Sequence, residues 1–269
     1  EFDPDSVAFD SSVFANADNS GGIDNGSSLG FMEISPDGDW RYIVNNDEIQ
    51  SLDAGDSVTE VFTVGVVDGD ATQNITITIN GTNDGPTITV PGVTPSGLSY
   101  TEGDPATEVD PTITLSDVDD GFLTGATISL QGELLAGDLL NFAEQNGIIG
   151  SYDSDIGVLT LSGIASIADY QQALRSVTYQ STSYDPTSDN TELSRVVTWV
   201  VMDANSDGVG VGVASSTPFS STIEITAVNN APMITGGDTS SYPEQGAAIV
   251  VDETISLTDL DDTQVTRAT

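Results

Sequence analysis

The sequence predicts an all-β chain of tandem β-sandwich modules with one short helix, and three observations point that way. Its 269 residues exceed the roughly 100 residues of a single sandwich domain, so more than one module is expected. The 43 acidic residues are interleaved with Val, Ile, Thr, Tyr and Phe in alternating runs and are not gathered into blocks, which is strand patterning and not that of a disordered polyanion. Clusters of Gly, Asn, Asp and Pro punctuate these runs, as turns between short strands require.

Taken in order, residues 30–35 and 40–44 read as two strands of a hairpin closed by the turn Pro36-Asp37-Gly38-Asp39. A second pair, 58–67 and 74–80, is joined through Val67-Asp68-Gly69-Asp70, and NITITIN (74–80) is a period-two strand that ends just before a proline. Further on come a hairpin over 150–160, a strand at 195–202 (RVVTWVVM) and a closing strand at 221–228 (STIEITAV). The stretch between about Gly121 and Gly150 reads as long inserts. One segment departs from the β pattern: IADYQQALRS (167–176) combines helix formers with Ile167, Tyr170 and Leu174 on one face, and Ser166 stands as its N-cap.

Internal repetition sets the module boundaries. Thr82-Asn83-Asp84-Gly85-Pro86 and Val228-Asn229-Asn230-Ala231-Pro232 each follow a closing strand. Beyond each lies a second shared pattern, Tyr100-Thr101-Glu102-Gly103 then Leu115-Ser116-Asp117-Val118-Asp119-Asp120, echoed by Tyr242-Pro243-Glu244-Gln245-Gly246 then Leu257-Thr258-Asp259-Leu260-Asp261-Asp262. The modules are therefore expected at 1–84, 85–230 and 231–269, the last only the start of a module, whose missing strands would leave its apolar residues poorly covered. Both ends of the sequence read as cuts in a longer chain.

Composition excludes several kinds of chemistry. The chain has neither cysteine nor histidine, so disulfides, thiolate or imidazole metal sites, cysteine nucleophiles and histidine triads are unavailable. Its four cationic residues are arginines, Arg41, Arg175, Arg195 and Arg267, and the net charge is −39. Such a surface repels phosphate backbones and anionic lipid, so no nucleic-acid partner is expected. No apolar run approaches the roughly 20 residues of a membrane span, so no membrane insertion is expected either. A charge density of this size opposes compaction unless cations neutralise it, and Ca²⁺, which takes six to eight oxygen ligands at once, is the natural counter-ion.

The first module resembles the VCBS repeat of giant bacterial adhesins through Pro36-Asp37-Gly38-Asp39-Trp40-Arg41-Tyr42, Leu52-Asp53-Ala54-Gly55-Asp56-Ser57, Phe62-Thr63-Val64 and the run from Ile77 to Pro86. The middle module resembles the cadherin-like repeats of RTX and BapA-type adhesins through its TEG and DVDD patterns, 150–163, Tyr170-Gln171-Gln172-Ala173-Leu174-Arg175 and Asn229-Asn230-Ala231-Pro232. These resemblances imply Ig/cadherin-like sandwiches in a secreted, monomeric protein of the bacterial cell surface, a calcium-rigidified extender for adhesion or biofilm formation and not an enzyme. They also imply two calcium sites. The first would use Asp68, Asn83, Asp84, Asp117, Asp119 and Asp120; the second Glu102, Asp203, Asn229, Asn230, Asp259 and Asp261. Glu244 repeats Glu102 and joins the candidate ligands, and Asn230 stands where the first site has Asp84, removing one charge.

Other readings compete. The run Asp203-Ala204-Asn205-Ser206-Asp207-Gly208 opens like an EF-hand loop, but Ala214 occupies the position of the bidentate Glu, so an EF-hand is rejected. Asp203, Asn205 and Asp207 then form either an additional calcium loop or a plain turn. Trp40, Tyr42, Tyr179 and Trp199 could form a sugar-stacking platform, although alternating strands favour burying them. Partners beyond calcium are neighbouring modules of the same chain; alternatively, the middle module is itself a calcium-dependent adhesive domain for a glycan or a surface protein.

Overall fold

A computed structural model describes residues 29–34, 40–65, 72–91, 97–132, 134–204, 212–262 and 264. The chain forms two compact units: unit 1 comprises 1–87, 116–123 and 202–216, and unit 2 comprises 88–115, 124–201 and 217–269. The described residues are mostly strand, arranged as sandwich-like sheets with a single α-helix, as the alternating patterns require.

In unit 1, β1 (Gly30–Ile34) pairs antiparallel with β2 (Trp40–Val44), and β3 (Ser57–Gly65) pairs with β4 (Thr72–Asn80) along its whole length, Ser57 opposite Asn80 and Gly65 opposite Thr72. A single 3-10 turn, Asn46–Glu48, follows β2. The turns expected at 36–39 and 67–70 lie outside the described residues. Alternation does the work here: Met32 and Phe62 are buried, and Tyr42, Ile75 and Ile77 pack against them. The Tyr42 ring meets Phe62 edge-on at 6.0 Å, and its hydroxyl donates to the buried Glu60 carboxylate.

Unit 2 is built on larger sheets. β5 (Thr87–Thr89) pairs with β8 (Thr114–Ser116), while β6 (Leu98–Thr101) and β7 (Thr107–Glu108) join other sheets. Next come β9 (Phe122–Gln131), β10 (Asp138–Asn141), β11 (Ile149–Asp153), β12 (Val158–Ser166), α1 (Ile167–Arg175), β13 (Thr178–Ser181), β14 (Ser194–Asp203) and β15 (Phe219–Thr226). They form a six-stranded sheet in the order β11-β12-β9-β14-β15-β6 and a three-stranded sheet in the order β10-β13-β7. The stretch 121–150 thus carries β9, β10 and the start of β11, and is not a set of long inserts. Its apolar residues alternate with Thr, Ser and Gly, so that Ala126, Ile128 and Leu130 face the core.

The helix lies where its pattern puts it. Ser166 Oγ accepts the Asp169 amide at 3.1 Å, Tyr170, Ala173 and Leu174 are buried, and Arg175 sits in the last turn, where a cation suits the helix dipole. Trp199 and Tyr179 are fully buried, which removes them from any sugar platform; the Trp40 side chain lies outside the description. Tyr179 packs edge-on against Tyr100 at 5.0 Å, tying β13 to β6.

Buried polar groups in this core are paired. Arg195 Nε donates to Asp138 Oδ2 at 2.7 Å and its Nη2 to Pro186 O at 2.8 Å, while Tyr179 donates its hydroxyl to Asp138 Oδ1 at 2.6 Å. Trp199 Nε1 donates to Ser221 Oγ, which in turn donates to Asp110 Oδ2 at 2.9 Å. Breaking a buried ion pair strands the partner charge, so Asp138→Ala should lower the unfolding free energy by about 3–5 kcal/mol in urea titration, whereas an exposed acid such as Glu224→Ala should change it by less than about 0.5 kcal/mol.

Candidate metal centre

Two carboxylate clusters stand out from this paired core. The first belongs to unit 1 and begins where β8 ends. Asp117 Oδ1 accepts the amides of Asp119 at 3.4 Å and Asp120 at 3.3 Å, a local turn that brings the Asp117 and Asp120 carboxylates close together. β9 starts immediately after, and Phe122 O accepts Ala204 N at 3.1 Å, which brings the C-terminal end of β14 alongside. That end carries Asp203, fully buried, with both carboxylate oxygens 3.0 Å from the Ala214 amide. Carboxylate oxygens of Asp117, Asp120 and Asp203 lie within 4.8 Å of one another.

The linker after β4 closes the group. Asn83 Nδ2 donates to Asp203 Oδ2 at 2.8 Å, and the Asp84 amide donates to Asp119 Oδ2 at 2.8 Å. Asn83 Oδ1, Asp117 Oδ2 and Asp119 Oδ1 are hidden from solvent and have no hydrogen-bond partner among the described residues. Each is an acceptor with nothing to accept, a state that costs about 1–3 kcal/mol per group. Carboxylates at this separation repel by on the order of 3 kcal/mol per pair at an effective dielectric constant of about 20.

The second cluster belongs to unit 2. β16 (Met233–Thr235) pairs with β17 (Ser256–Thr258), and Asp259, Asp261 and Asp262 follow with carboxylate oxygens again within 4.8 Å of one another. The Asn230 amide donates to Asp261 Oδ2 at 2.6 Å, the counterpart of the Asp84 amide on Asp119. Glu102, just past β6, accepts Val228 N on Oε2 and Asn230 Nδ2 on Oε1, both at 2.9 Å. Asp259 Oδ1 and Asp261 Oδ1 are hidden and unpartnered among the described residues.

Of the residues singled out in the sequence, the structure brings Asn83, Asp84, Asp117, Asp119, Asp120 and Asp203 together in one group, and Glu102, Asn230, Asp259 and Asp261 in the other. Asp203 therefore keeps company with the first group and not with Glu102. The cause is strand direction: Ser194 lies opposite Glu224 in the antiparallel β14–β15 pair, so β14 runs away from the 229–230 linker as it approaches Asp203. Asn229 is exposed, its Nδ2 donating to Asn230 O, and Glu244 is exposed and belongs to neither cluster. Asp68, Asn205 and Asp207 lie outside the described residues.

Two features escaped sequence reasoning. Asp262 was left out of the ligand set although it repeats Asp120, and that repetition was the available signal. Asn230 looked like a lost charge, yet its amide NH2 satisfies Glu102 Oε1, where an aspartate would repel it.

The electrostatics follow this geometry. Burial, then the neighbouring Asp119 carboxyl, pushes Asp117 up to about 7, against the pull of the Asp119 and Asp120 amides. Asp259 is raised, first by desolvation and then by Asp261, whereas the Asn230 amide holds Asp261 below the usual carboxylate range.

No known family profile matches the chain. It is similar to Halomucin of Haloquadratum walsbyi, 34% identical over 158 residues, which is 53% of this chain and 2% of that protein. Among solved structures it is similar to mouse clustered PcdhgC3 EC1-3 (14% identical, 86% of this chain and 63% of that one, TM-score 0.30). The protocadherin gammaB7 EC3-6 cis-dimer gives 14% identity, 88% and 51% coverage and a TM-score of 0.31. The human desmocollin-1 ectodomain gives 13%, 76% and 33%, and 0.23. Superpositions this loose carry no argument; the sheet topology itself establishes the all-β sandwich class.

A carboxyl whose folded pKa lies above its unfolded value stabilises the fold below the unfolded pKa, and that contribution is lost as pH rises through the folded one. With divalent ions chelated, unit 1 should therefore become less stable as pH rises from about 4 to about 7, the window set by Asp117. Asp117→Asn should flatten the dependence, as read from melting curves across that range; an unchanged slope would assign it to other groups.

Proposed function

We propose that the chain is a calcium-stiffened structural segment of an extracellular adhesion protein, and that the two carboxylate clusters are its ion sites. The observation that carries this reading is the repeated construction: in each cluster a linker amide, Asp84 or Asn230, anchors one aspartate, while one hidden oxygen each of Asp117, Asp119, Asp259 and Asp261 meets no donor among the described residues. Hard oxygen donors alone, in a chain without Cys or His, suit Ca²⁺ better than a transition metal. Asn83, Asp117, Asp119, Asp120 and Asp203 would hold an ion in unit 1, and Glu102, Asp259, Asp261 and Asp262 one in unit 2.

An ion bound this way cross-links sequence-distant segments. Residues 83–84 become fixed to 117–120 and 203, and 229–230 to 259–262, so each linker loses conformational freedom when the cation binds. The chain is then a spacer that presents other parts of a longer protein, with modules at 1–84, 85–230 and from 231 onward, and it catalyses no reaction. Support for an extracellular setting comes from the acidic, cysteine-free composition and from the similarity to Halomucin. The assignment to RTX-type, VCBS-bearing bacterial adhesins acting in biofilms rests on the motifs between Pro36 and Pro86 and on the TEG and DVDD patterns.

A ligand that binds only the folded state raises its stability, by about 2.7 kcal/mol at a hundredfold excess over Kd. Thermal melts in millimolar Ca²⁺ should exceed those in EGTA at matched ionic strength, and the gain should be largely abolished in the double variant Asp117→Asn/Asp259→Asn. Equal stabilisation by Na⁺ at the same ionic strength would reduce the clusters to screened surface charge.

A further inference from the structure

A cleft of about 310 Å³ lies within unit 2 beside α1, lined by Glu108, Gln145, Gln171, Gln172, Arg175 and Ser176, together with one alanine. Its chemistry is unlike the rest of this surface. In a chain with 43 acidic and 4 basic residues, the cleft gathers an arginine and three glutamines with a single carboxylate. None of these groups takes part in the clusters described above.

The hydrogen bonds inside the wall decide what it offers a ligand. Gln171 Oε1 is occupied by the Leu115 amide at 3.0 Å, and Gln172 Oε1 by Asn146 Nδ2 at 3.4 Å, so both carboxamides have their NH2 groups left over. Arg175 Nε donates to Ile113 O at 2.6 Å, which fixes the guanidinium plane and leaves both Nη groups without a partner among the described residues. Gln145 is the reverse case: its Nε2 donates to Ser176 Oγ at 2.7 Å, leaving its own oxygen as an acceptor beside the Glu108 carboxylate. Gln171, Gln172 and Arg175 sit on one face of α1 at positions i, i+1 and i+4, on a helix whose other face is locked into the core through Tyr170, Ala173 and Leu174.

We propose that this cleft binds an acidic sugar residue of the uronic acid class, with Arg175, Gln171 and Gln172 taking its carboxylate and Glu108 and Gln145 accepting from its hydroxyls. The guanidinium fork matches a planar carboxylate, and bidentate contacts of this type are the strong charge-assisted ones. The acceptors of the opposite wall, the Glu108 carboxylate and the Gln145 oxygen, suit the O–H donors of sugar hydroxyls. The chain's negative field opposes an anion only over about a Debye length, a few Å at high salt, so the contact operates where salt is abundant. No aromatic side chain lines the cleft, so recognition depends on polar contacts and binding is weak unless many sugar units are linked.

The test is amide NMR on the full chain in millimolar Ca²⁺ and about 0.5 M NaCl, titrated separately with glucuronic acid, glucose and acetate. Glucuronic acid should give saturable shifts at 168–176, at 108 and at 145. Arg175→Gln and Gln171→Glu should each weaken it at least about tenfold; the second retains the acceptor for the Leu115 amide but replaces the NH2 donor by a repelling carboxylate, so a loss with unchanged melting temperature places the ligand carboxylate beside position 171. Glucose binding as tightly as glucuronic acid would overturn the carboxylate assignment, and acetate binding as tightly would overturn the sugar assignment. Shifts confined to 117–120 or 259–262 would mean calcium-bridged binding at the clusters and would overturn the cleft, as would no shifts at all.

Discussion

Carboxylates forced within 4.8 Å of each other, in a chain with almost no cationic side chains to answer them, are the constraint on which this structure turns. Two classes of acid, one buried and one half-buried, show how it is handled. Asp138 and Asp110 sit among strands and are satisfied from within, by Arg195 and Tyr179 in one case and by Ser221 in the other. The acids at the strand ends are not: Asp117, Asp119, Asp259 and Asp261 each keep a hidden oxygen with no donor among the described residues. The first class is neutralised within the fold, whereas the second leaves charge that a proton or a bound cation would offset.

The sheets supply the geometry for that demand. β9 begins at Phe122, two residues after Asp120, and the Phe122–Ala204 hydrogen bond sets the end of β14 beside it, so aspartates separated by more than eighty positions meet. Glu102 is placed by the parallel pairing of β6 with β15, which carries it level with Val228 and Asn230. Core residues on the same strands hold these ends still: Leu123 on β9, Val201 on β14 and Ile225 on β15 are all buried. Packing thus positions the acids, and under the proposed function the acids in turn make local stability depend on ion supply and pH.

Much of this was legible beforehand, for identifiable reasons. Strands were visible because alternation is a local property, and α1 because the Ser166 cap and the apolar triplet at 167, 170 and 174 lie close together in the sequence. The two acidic groups were visible because their punctuation repeats. Asp203 was assigned to the wrong group because its partner depends on the register and direction of β14 against distant strands, which no local pattern encodes. The strands between 122 and 141 were missed because Gly125 lies within β9 and Gly132 and Gly137 flank the connection to β10, which imitates loop composition. The role of Asn230 was hidden because it depends on a glutamate 128 positions away.

The central claim is that a divalent ion ties each linker to its aspartates, and backbone hydrogen exchange with and without Ca²⁺ tests it residue by residue. The account predicts calcium-dependent slowing concentrated at 83–85, 117–121 and 203–204, and at 102, 228–231 and 259–262, with the interiors of β9, β12 and β14 unaffected. Uniform slowing across both units, or none at these positions, would contradict it and leave the clusters as solvated turns.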